Sequence, residues 1–156
     1  MIIIAHRGNL DGENEQLENH PAYIQNAIDN NFQVEIDLRL IDGDLWLGHD
    51  VPQYKVSIEW LLQRRNVLWI HPKNFEALAY LIEKKDDFKY FWHTCDSYVL
   101  TSNHKIWAHE IDQIVDVSNC IVPLLDRESL MVKFQSNYYA ICTDFSNLCK
   151  NKLNGN

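Results

Sequence analysis

Short apolar runs alternate with segments of helical periodicity along the 156 residues of this chain. The run Ile2-Ile3-Ile4-Ala5 is typical of a strand covered on both faces, and the apolar stripe after Pro21 is typical of a helix. Such alternation implies an α/β fold with a mostly parallel sheet, either open or closed into a barrel. The pattern predicts strands over 2–5, 34–40, 67–70, 90–92, 121–125 and 139–142, hairpin arms over 45–47, 98–100 and 106–108, and helices after Pro21, around 58–62, over 75–85 and near 127–134.

The length of the chain limits how complete a barrel can be. A barrel of eight strand–helix units usually needs roughly 200 residues or more, so a closed version of this fold must lack helices. We expect them to be missing in the second half, between Cys95 and Cys120. Gly and Pro are sparse, with 5 and 4 copies, and no linker or repeat interrupts the pattern. Residues 1–156 are therefore predicted to form a single domain, with an open sheet as the alternative.

The charge balance disfavours nucleic acid as a partner. The formal net charge is -8, from 22 acidic and 14 basic residues. A nucleic-acid surface needs clustered Lys and Arg to displace counterions from phosphates, and the sequence has no such stripe. An acidic protein can still bind a small anion through a metal ion.

Two features predict a cytoplasmic protein without membrane insertion. The apolar run from Met1 to Ala5 is too short for the core of a signal peptide or for a membrane span. The four cysteines show no C-x-x-C spacing, so we expect reduced thiols, most of them buried in the core. Nothing in the sequence indicates an oligomeric state.

Polar residues collect where the predicted apolar strands end, which is where parallel α/β folds carry their active sites. Within the second strand, Glu35 and Asp37 share one face because successive side chains alternate sides. Two carboxylates on a buried face lose hydration and repel each other, so they need a cation such as a hard divalent metal. The other polar groups of this kind are His6-Arg7, Glu18-Asn19, His49-Asp50, and His71 with Lys73.

These motifs together resemble the glycerophosphodiester phosphodiesterase family. The family signature is an H-R-G after the first strand, an E-N before the first helix, an E-x-D strand and an H-D after a D-G turn. A weaker similarity to the family's last strand lies in Ile141-Cys142-Thr143-Asp144-Phe145. The matching residues over the first third of the chain are His6-Arg7-Gly8, Glu18-Asn19, Glu35-Ile36-Asp37, Asp42-Gly43 and Gly48-His49-Asp50.

The resemblance implies a reduced (β/α) barrel of the TIM type, as in the PLC-like phosphodiesterases, and a hydrolase of lipid metabolism. It implies one catalytic domain that cleaves a small-molecule phosphodiester with one divalent metal ion. His6 and His49 would be the general acid–base pair, with His6 favoured as the base. Arg7 would assist catalysis, Glu35 and Asp37 would bind the metal, and the substrate would contact Lys73, Glu18 and Asn19. Outside the resemblance, the position of Trp107 near a predicted strand end suggests that it lines the pocket for the leaving group, with core or rim packing as the alternative.

One position departs from the family. Where the family has a third carboxylate ligand in an E-x-K, this chain has His71-Pro72-Lys73. We expect His71 to be the third ligand, which shifts the preference from Ca²⁺ toward Mg²⁺, Mn²⁺ or Zn²⁺; a packed histidine that caps the strand is the alternative. The same departure keeps open a non-catalytic binding module for a phosphorylated small molecule. An amidohydrolase is disfavoured, because its first strand would carry H-x-H.

Overall fold

The structure, a computed structural model, describes residues 1–84 and 87–155. Over these residues the chain forms ten strands and five helices. The strands are β1 (Ile2–His6), β2 (Gln33–Ile41), β3 (Asp44–Leu47), β4 (Tyr54–Val56), β5 (Leu68–Pro72), β6 (Lys89–Tyr90), β7 (Tyr98–Leu100), β8 (Ile106–Ala108), β9 (Cys120–Pro123) and β10 (Ala140–Thr143).

Each helix follows a strand along the chain. They are α1 (Pro21–Asp29), α2 (Ile58–Arg64), α3 (Phe75–Glu83), α4 (Arg127–Lys133) and α5 (Ser146–Leu153). Three helices begin with an N-cap side chain that accepts a hydrogen bond from a backbone N–H group of the first turn. Ser57 accepts from Trp60, Asn74 from Ala77, and Asp126 from Ser129. These caps set where the chain turns back onto the sheet.

All ten strands belong to one mostly parallel sheet. The central strand β1 pairs with β2 on one side and with β10 on the other, both in parallel. The parallel order is β6, β5, β2, β1, β10, β9 and β8. The antiparallel pairs are those of β3 with the end of β2, β4 with β3, and β7 with β8. The predicted mixed α/β class and mostly parallel sheet are confirmed.

The first and last strands of this parallel order, β6 and β8, are connected through Ser102, which lies in the turn of the β7–β8 hairpin. The Ser102 N–H donates to the carbonyl of Tyr90 on β6 at 2.8 Å. In return, the Tyr90 N–H donates to Ser102 Oγ at 2.9 Å, and that hydroxyl donates to the Phe88 carbonyl at 3.2 Å. One residue therefore makes all these bonds between β6 and the hairpin.

The helices cover one face of the sheet, and the opposite face forms a core of its own. On the helical face, Ala5 and Ile36 pack among residues of α1 to α3. On the opposite face, Ile4, Trp69 and Trp107 pack together with residues of β9 and β10. Residues 91–119 contain no helix, which confirms the prediction that helices are missing in this segment.

Several element predictions need correction. The sixth strand, predicted over 90–92, covers only Lys89–Tyr90, and Trp92 is exposed. Helix α3 ends at Glu83, and Lys85, its predicted end, lies outside the described residues. Strand β4 and helix α5 were not predicted at all. The Tyr54–Val56 strand is short, and Ser146–Leu153 is too polar to give an apolar stripe.

Of the four cysteines, three are buried, while Cys95 is exposed, and none forms a disulfide. The longest described helices have nine residues, and in the part of the chain that the structure describes no helix has the length and apolar character that a bilayer crossing needs.

Candidate functional site

A cavity of about 270 Å³ opens at the carboxyl ends of the parallel strands. One side of it carries the polar groups that the sequence predicted, and the other side carries aromatic rings and two further histidines. The residues that line it are His6, Arg7, Glu35, His49, His71, Lys73, Phe91, His93, Thr94, Trp107, His109, Pro123, Leu125 and Cys142.

Glu35 and Asp37 project from β2 into almost complete burial, with 2% and 0% of their surfaces exposed. The register of β2 against β5 brings His71 directly beside Asp37. His71 Nδ1 lies 3.6 Å from Asp37 Oδ1 and 4.0 Å from Glu35 Oε1. Among the described residues, Glu35 Oε2 and Asp37 Oδ1 have no hydrogen-bond partner. Two buried carboxylate oxygens are therefore left with unused acceptor capacity.

The surroundings move the pKa values of the two carboxyl groups apart. Burial, and then the charge of Asp37, raises the pKa of Glu35 to about 7. Burial alone would also raise the pKa of Asp37, but the Arg7 guanidinium, a hydrogen bond from Asn19 and the charge of Lys73 outweigh burial and lower it. The protein's own cations thus stabilise the charge on Asp37 and leave that on Glu35 largely uncompensated.

His71 lies between the carboxylates and the aromatic side of the cavity. Its ring stacks on Phe91 at 4.9 Å and on His93 at 4.7 Å between centroids. Burial, followed by the nearby charge of Lys73, lowers its pKa to about 3. His71 is therefore a neutral imidazole whose Nδ1 edge faces both carboxylates.

These three side chains fit a divalent metal ion. Glu35, Asp37 and His71 each offer one ligand atom, and these atoms all lie within 4.8 Å of one another. Two carboxylate oxygens with one imidazole nitrogen suit Mg²⁺, Mn²⁺ or Zn²⁺, and the unpartnered oxygens supply the free acceptors that a cation needs. Lys73 Nζ lies 3.7 Å from Asp37 Oδ1 and so forms an ion pair with one of the two carboxylates of this group.

His6, at the end of β1, is held by an acid from the last strand. Its Nδ1 lies 2.8 Å from Asp144 Oδ1, and its Nε2 lies 3.9 Å from Glu35 Oε2. Because a carboxylate only accepts, Nδ1 carries the proton and Nε2 is left free beside the cavity. Burial lowers the pKa of His6, but the Asp144 hydrogen bond and the charge of Glu35 outweigh it, and the pKa is raised.

Asn9 ties this acid to a neighbouring carboxylate. Its amide nitrogen donates to Asp144 Oδ1 and to Glu18 Oε1, both at 2.7 Å. His6, Glu18 and Asp144 also bring ligand atoms within 4.8 Å of one another. Since the Asn9 amide already bridges the two carboxylates, this second group is better suited to orienting His6 than to holding an ion.

Arg7 turns the chain sharply after β1 with a left-handed backbone, at φ 52°. A non-glycine residue in this region is strained, and such strain is found most often at functional sites. Its Nη1 donates to Glu18 Oε2 at 2.9 Å. Its Nε lies 2.9 Å from Asp37 Oδ2, an ion pair in which the N–H does not point at the oxygen. Glu18 therefore orients Arg7.

Asn19, whose backbone is also left-handed at φ 61°, holds the carboxylate of Asp37 as well. Its amide nitrogen donates to Asp37 Oδ2, and its oxygen accepts from the Asp37 N–H, both at 2.9 Å. Glu18 and Asn19, predicted to contact substrate, do not line the main cavity of about 270 Å³ but a second one of about 450 Å³, which Arg7 and His49 also line.

His49 stands on an exposed loop after β3, with its Nδ1 2.8 Å from Asp50 Oδ1. Arg39, two positions beyond Asp37 on β2, donates to three successive carbonyls of this loop, those of Gly48 at 3.2 Å, His49, and Asp50 at 3.1 Å. Gly48 has φ 145°, and a Cβ there would lie 2.1 Å from the carbonyl oxygen of Val51. One strand therefore carries both carboxylates and the arginine that holds the His49 loop.

The structure thus brings together around one cavity most residues that the sequence singled out. Sequence reasoning noted Asp144 only as a similarity and did not single out Asn9 or Arg39. Arg39 had a signal, since it continues the i, i+2, i+4 face of Glu35 and Asp37. Trp107 lines the cavity as predicted, but only 3% of its surface is exposed.

Comparisons of the chain with protein-family models, with curated proteins and with solved structures gave no match.

Proposed function

We propose that the chain is a metal-dependent phosphodiesterase that cleaves a small glycerophosphodiester-like molecule by acid–base catalysis with two histidines. The observation that carries the proposal is that Glu35 and His71, two members of the Glu35–Asp37–His71 group, line one cavity together with His6 and His49. The resemblance of the sequence motifs to glycerophosphodiester phosphodiesterases points to the same chemistry.

Binding of the phosphate depends on cations, because a phosphodiester carries a negative charge that repels nucleophiles. Arg7 and Lys73 both line the cavity and offer donors to the non-bridging oxygens. Glu35, Asp37 and His71 would hold one Mg²⁺, Mn²⁺, Ca²⁺ or Zn²⁺ ion. When bound, that ion supplies Lewis-acid stabilisation of the charge that develops on phosphate.

The proton transfers are assigned to the two histidines. His6 Nε2, whose ring Asp144 orients, accepts the proton of the attacking hydroxyl, and His49 Nε2 donates a proton to the departing alkoxide. By the resemblance, the attacking hydroxyl belongs to the substrate's own glycerol, so a cyclic phosphate forms first. Water then opens it, with the two histidines exchanging roles.

We further propose that the sheet is a reduced barrel of the TIM type. The parallel order of seven strands and the bonds of Ser102 to β6 support a closed arrangement. Residues of β1, β5, β8, β9 and β10 pack together on the face away from the helices, as the interior of a barrel does.

A second candidate is a non-catalytic binding module for a phosphorylated small molecule. One observation favours it: Arg7 at 2.9 Å and Lys73 at 3.7 Å already neutralise Asp37. A site that is balanced by its own cations can bind an anion without a metal ion.

Hydrolysis of glycerophosphoglycerol, which supplies its own attacking hydroxyl, and of bis(p-nitrophenyl) phosphate, which requires water as the nucleophile, tests the two candidates. We expect turnover with Mn²⁺ or Mg²⁺, none with EDTA, and a loss of about 10²–10⁴ in rate for His6→Ala. The matched control is His104→Asn, an exposed histidine that does not line the cavity. Absence of turnover, together with metal-independent binding of the diester, would favour the binding module.

A further inference from the structure

His93 and His109 form a pair of imidazoles on the cavity wall opposite the carboxylates. Their ring centroids lie 4.7 Å apart, and both rings line the same cavity as His6 and His49. In the described part of the chain, neither imidazole has a side-chain hydrogen-bond partner. The acid–base and metal-binding roles proposed above use neither residue, although His93 stacks on His71.

The aromatic rings beside this pair offer no open face. Phe91 and Trp107 stack on each other at 3.9 Å between centroids, with an interplanar angle of 14°. Only 2% and 3% of their surfaces are exposed. A quaternary ammonium group is recognised by the free faces of aromatic rings, so the wall does not form such a cage.

The charges that line the cavity also disfavour a cation. Arg7 and Lys73 are positive, and Glu35 is the one carboxylate among the described lining residues. Asp96 and Glu110 line a different cavity, of about 230 Å³, on the outer side of the same imidazole pair. An alcohol in the main cavity therefore meets mainly imidazoles and cations, with Glu35 the one carboxylate among the described lining residues.

We propose that His93 and His109 form the subsite for the leaving alcohol and select an uncharged polyol over a cationic amino alcohol. This inference rests on the proposed phosphodiesterase function. A neutral imidazole offers one donor and one acceptor, which is the pattern that a hydroxyl group complements. Two such rings, 4.7 Å apart between centroids, offer hydrogen bonds to two hydroxyls of one polyol.

The size of the cavity sets the scale of the alcohol. Its volume of about 270 Å³ has room for a phosphate with a short polyol. The substrate class is therefore a phosphodiester with a polyol on the leaving side.

Paired kinetics on glycerophosphoglycerol and glycerophosphocholine test this subsite. We expect the kcat/KM of the wild-type protein to be at least tenfold higher for glycerophosphoglycerol. His109→Ala should reduce that ratio about tenfold, the worth of one hydrogen bond to a hydroxyl. His109→Gln, which keeps a donor and an acceptor, should restore much of it, and the control His104→Asn should leave both rates unchanged. An equal or higher kcat/KM for glycerophosphocholine would overturn the inference.

Direct binding separates this inference from the proposed function. If neither these diesters nor a nitrophenyl diester is hydrolysed, the phosphodiesterase proposal fails. Calorimetric titration with the same two diesters still decides the subsite: tighter binding of glycerophosphoglycerol that weakens in His109→Ala supports it, and equal binding of both contradicts it.

Discussion

His6 Nδ1 lies 2.8 Å from Asp144 Oδ1, although 138 positions separate the two residues along the chain. The parallel pairing of β1 with β10 creates this contact, because it aligns the carboxyl ends of the first and last strands. Asn9 donates to the same carboxylate oxygen and fixes its direction. The orientation and the protonated nitrogen of His6 are thus determined by the C-terminal part of the chain.

Asp144→Asn should impair catalysis without affecting metal binding. The Asn amide can donate to Nδ1, which favours the wrong tautomer and places a proton on Nε2, where the base needs a lone pair. We expect a loss of about 10²–10⁴ in kcat on a phosphodiester. Steady-state kinetics and Mn²⁺ calorimetry on the same preparation measure the two effects. The control Asp29→Asn changes an exposed helical residue, and a similar kcat in both variants would contradict the role of Asp144.

Glu35→Gln should remove most of the affinity for a divalent metal while keeping the fold. Glu35 Oε2 has no described hydrogen-bond partner, so the substitution breaks few existing contacts. We expect at least a tenfold loss in Mn²⁺ affinity and a much smaller rise of Tm on adding Mn²⁺. Glu76→Gln, at an exposed position of α3, is the control. An unchanged Mn²⁺ affinity would show that the carboxylate pair is not the metal site.

The metal-free protein should lose stability as pH rises toward neutrality. Burial, and then the charge of Asp37, raises the pKa of Glu35 from 4.5 to about 7 in the folded state. The folded protein therefore binds the Glu35 proton more tightly than the unfolded chain does. The resulting contribution to the free energy of unfolding is complete below pH 4.5 and is lost as pH rises through about 7. Urea unfolding in EDTA at several pH values measures the slope. Glu35→Gln should have a flatter profile between these limits, and an identical slope in both proteins would refute the assignment.

Arg39→Met should uncouple the His49 loop from the sheet. The loop then loses three carbonyl contacts, and the acid histidine is no longer held in place. Because a nitrophenolate leaves without a proton, the rate loss should be large on a glycerophosphodiester and small on bis(p-nitrophenyl) phosphate. The two substrates are compared in Arg39→Met and in the exposed control Arg127→Met. Equal losses on both substrates would mean that Arg39 supports the fold and not the acid.

Most strands and most helices were predictable because their signals are local. Ile2–His6 and Leu68–Pro72 are short apolar runs, and α1 begins at Pro21 as the sequence indicates. Helix α5 escaped prediction because Asn and Lys dominate it, so its contacts with the sheet come from few residues, such as Cys149. Local periodicity cannot detect an element that is held mainly by tertiary contacts.

The candidate site was predictable to the extent that strand ends share an edge. His6, Glu35 and His71 follow from this rule together with the alternation along β2. The contact of Asp144 with His6 depends on which strands are neighbours, and neither composition nor spacing specifies that β10 pairs with β1. The hydrogen bonds from Arg39 to the His49 loop depend on the path of that loop. That path is set by Gly48, whose φ is positive.

The join at Ser102 has a consequence for how the molecule opens. A single residue replaces what would elsewhere be a longer ladder of backbone bonds, since the Ser102 N–H donates to Tyr90 and its Oγ accepts from Tyr90 and donates to Phe88. The amide of Tyr90 should therefore exchange its hydrogen for deuterium faster than amides of the β1–β10 pair, through local opening that leaves the rest folded. Water would enter by this route, beside Phe91, whose ring stacks on His71. The sheet should thus open at Ser102 before it opens between the paired strands β1, β2 and β5, which carry His6, the carboxylates and His71.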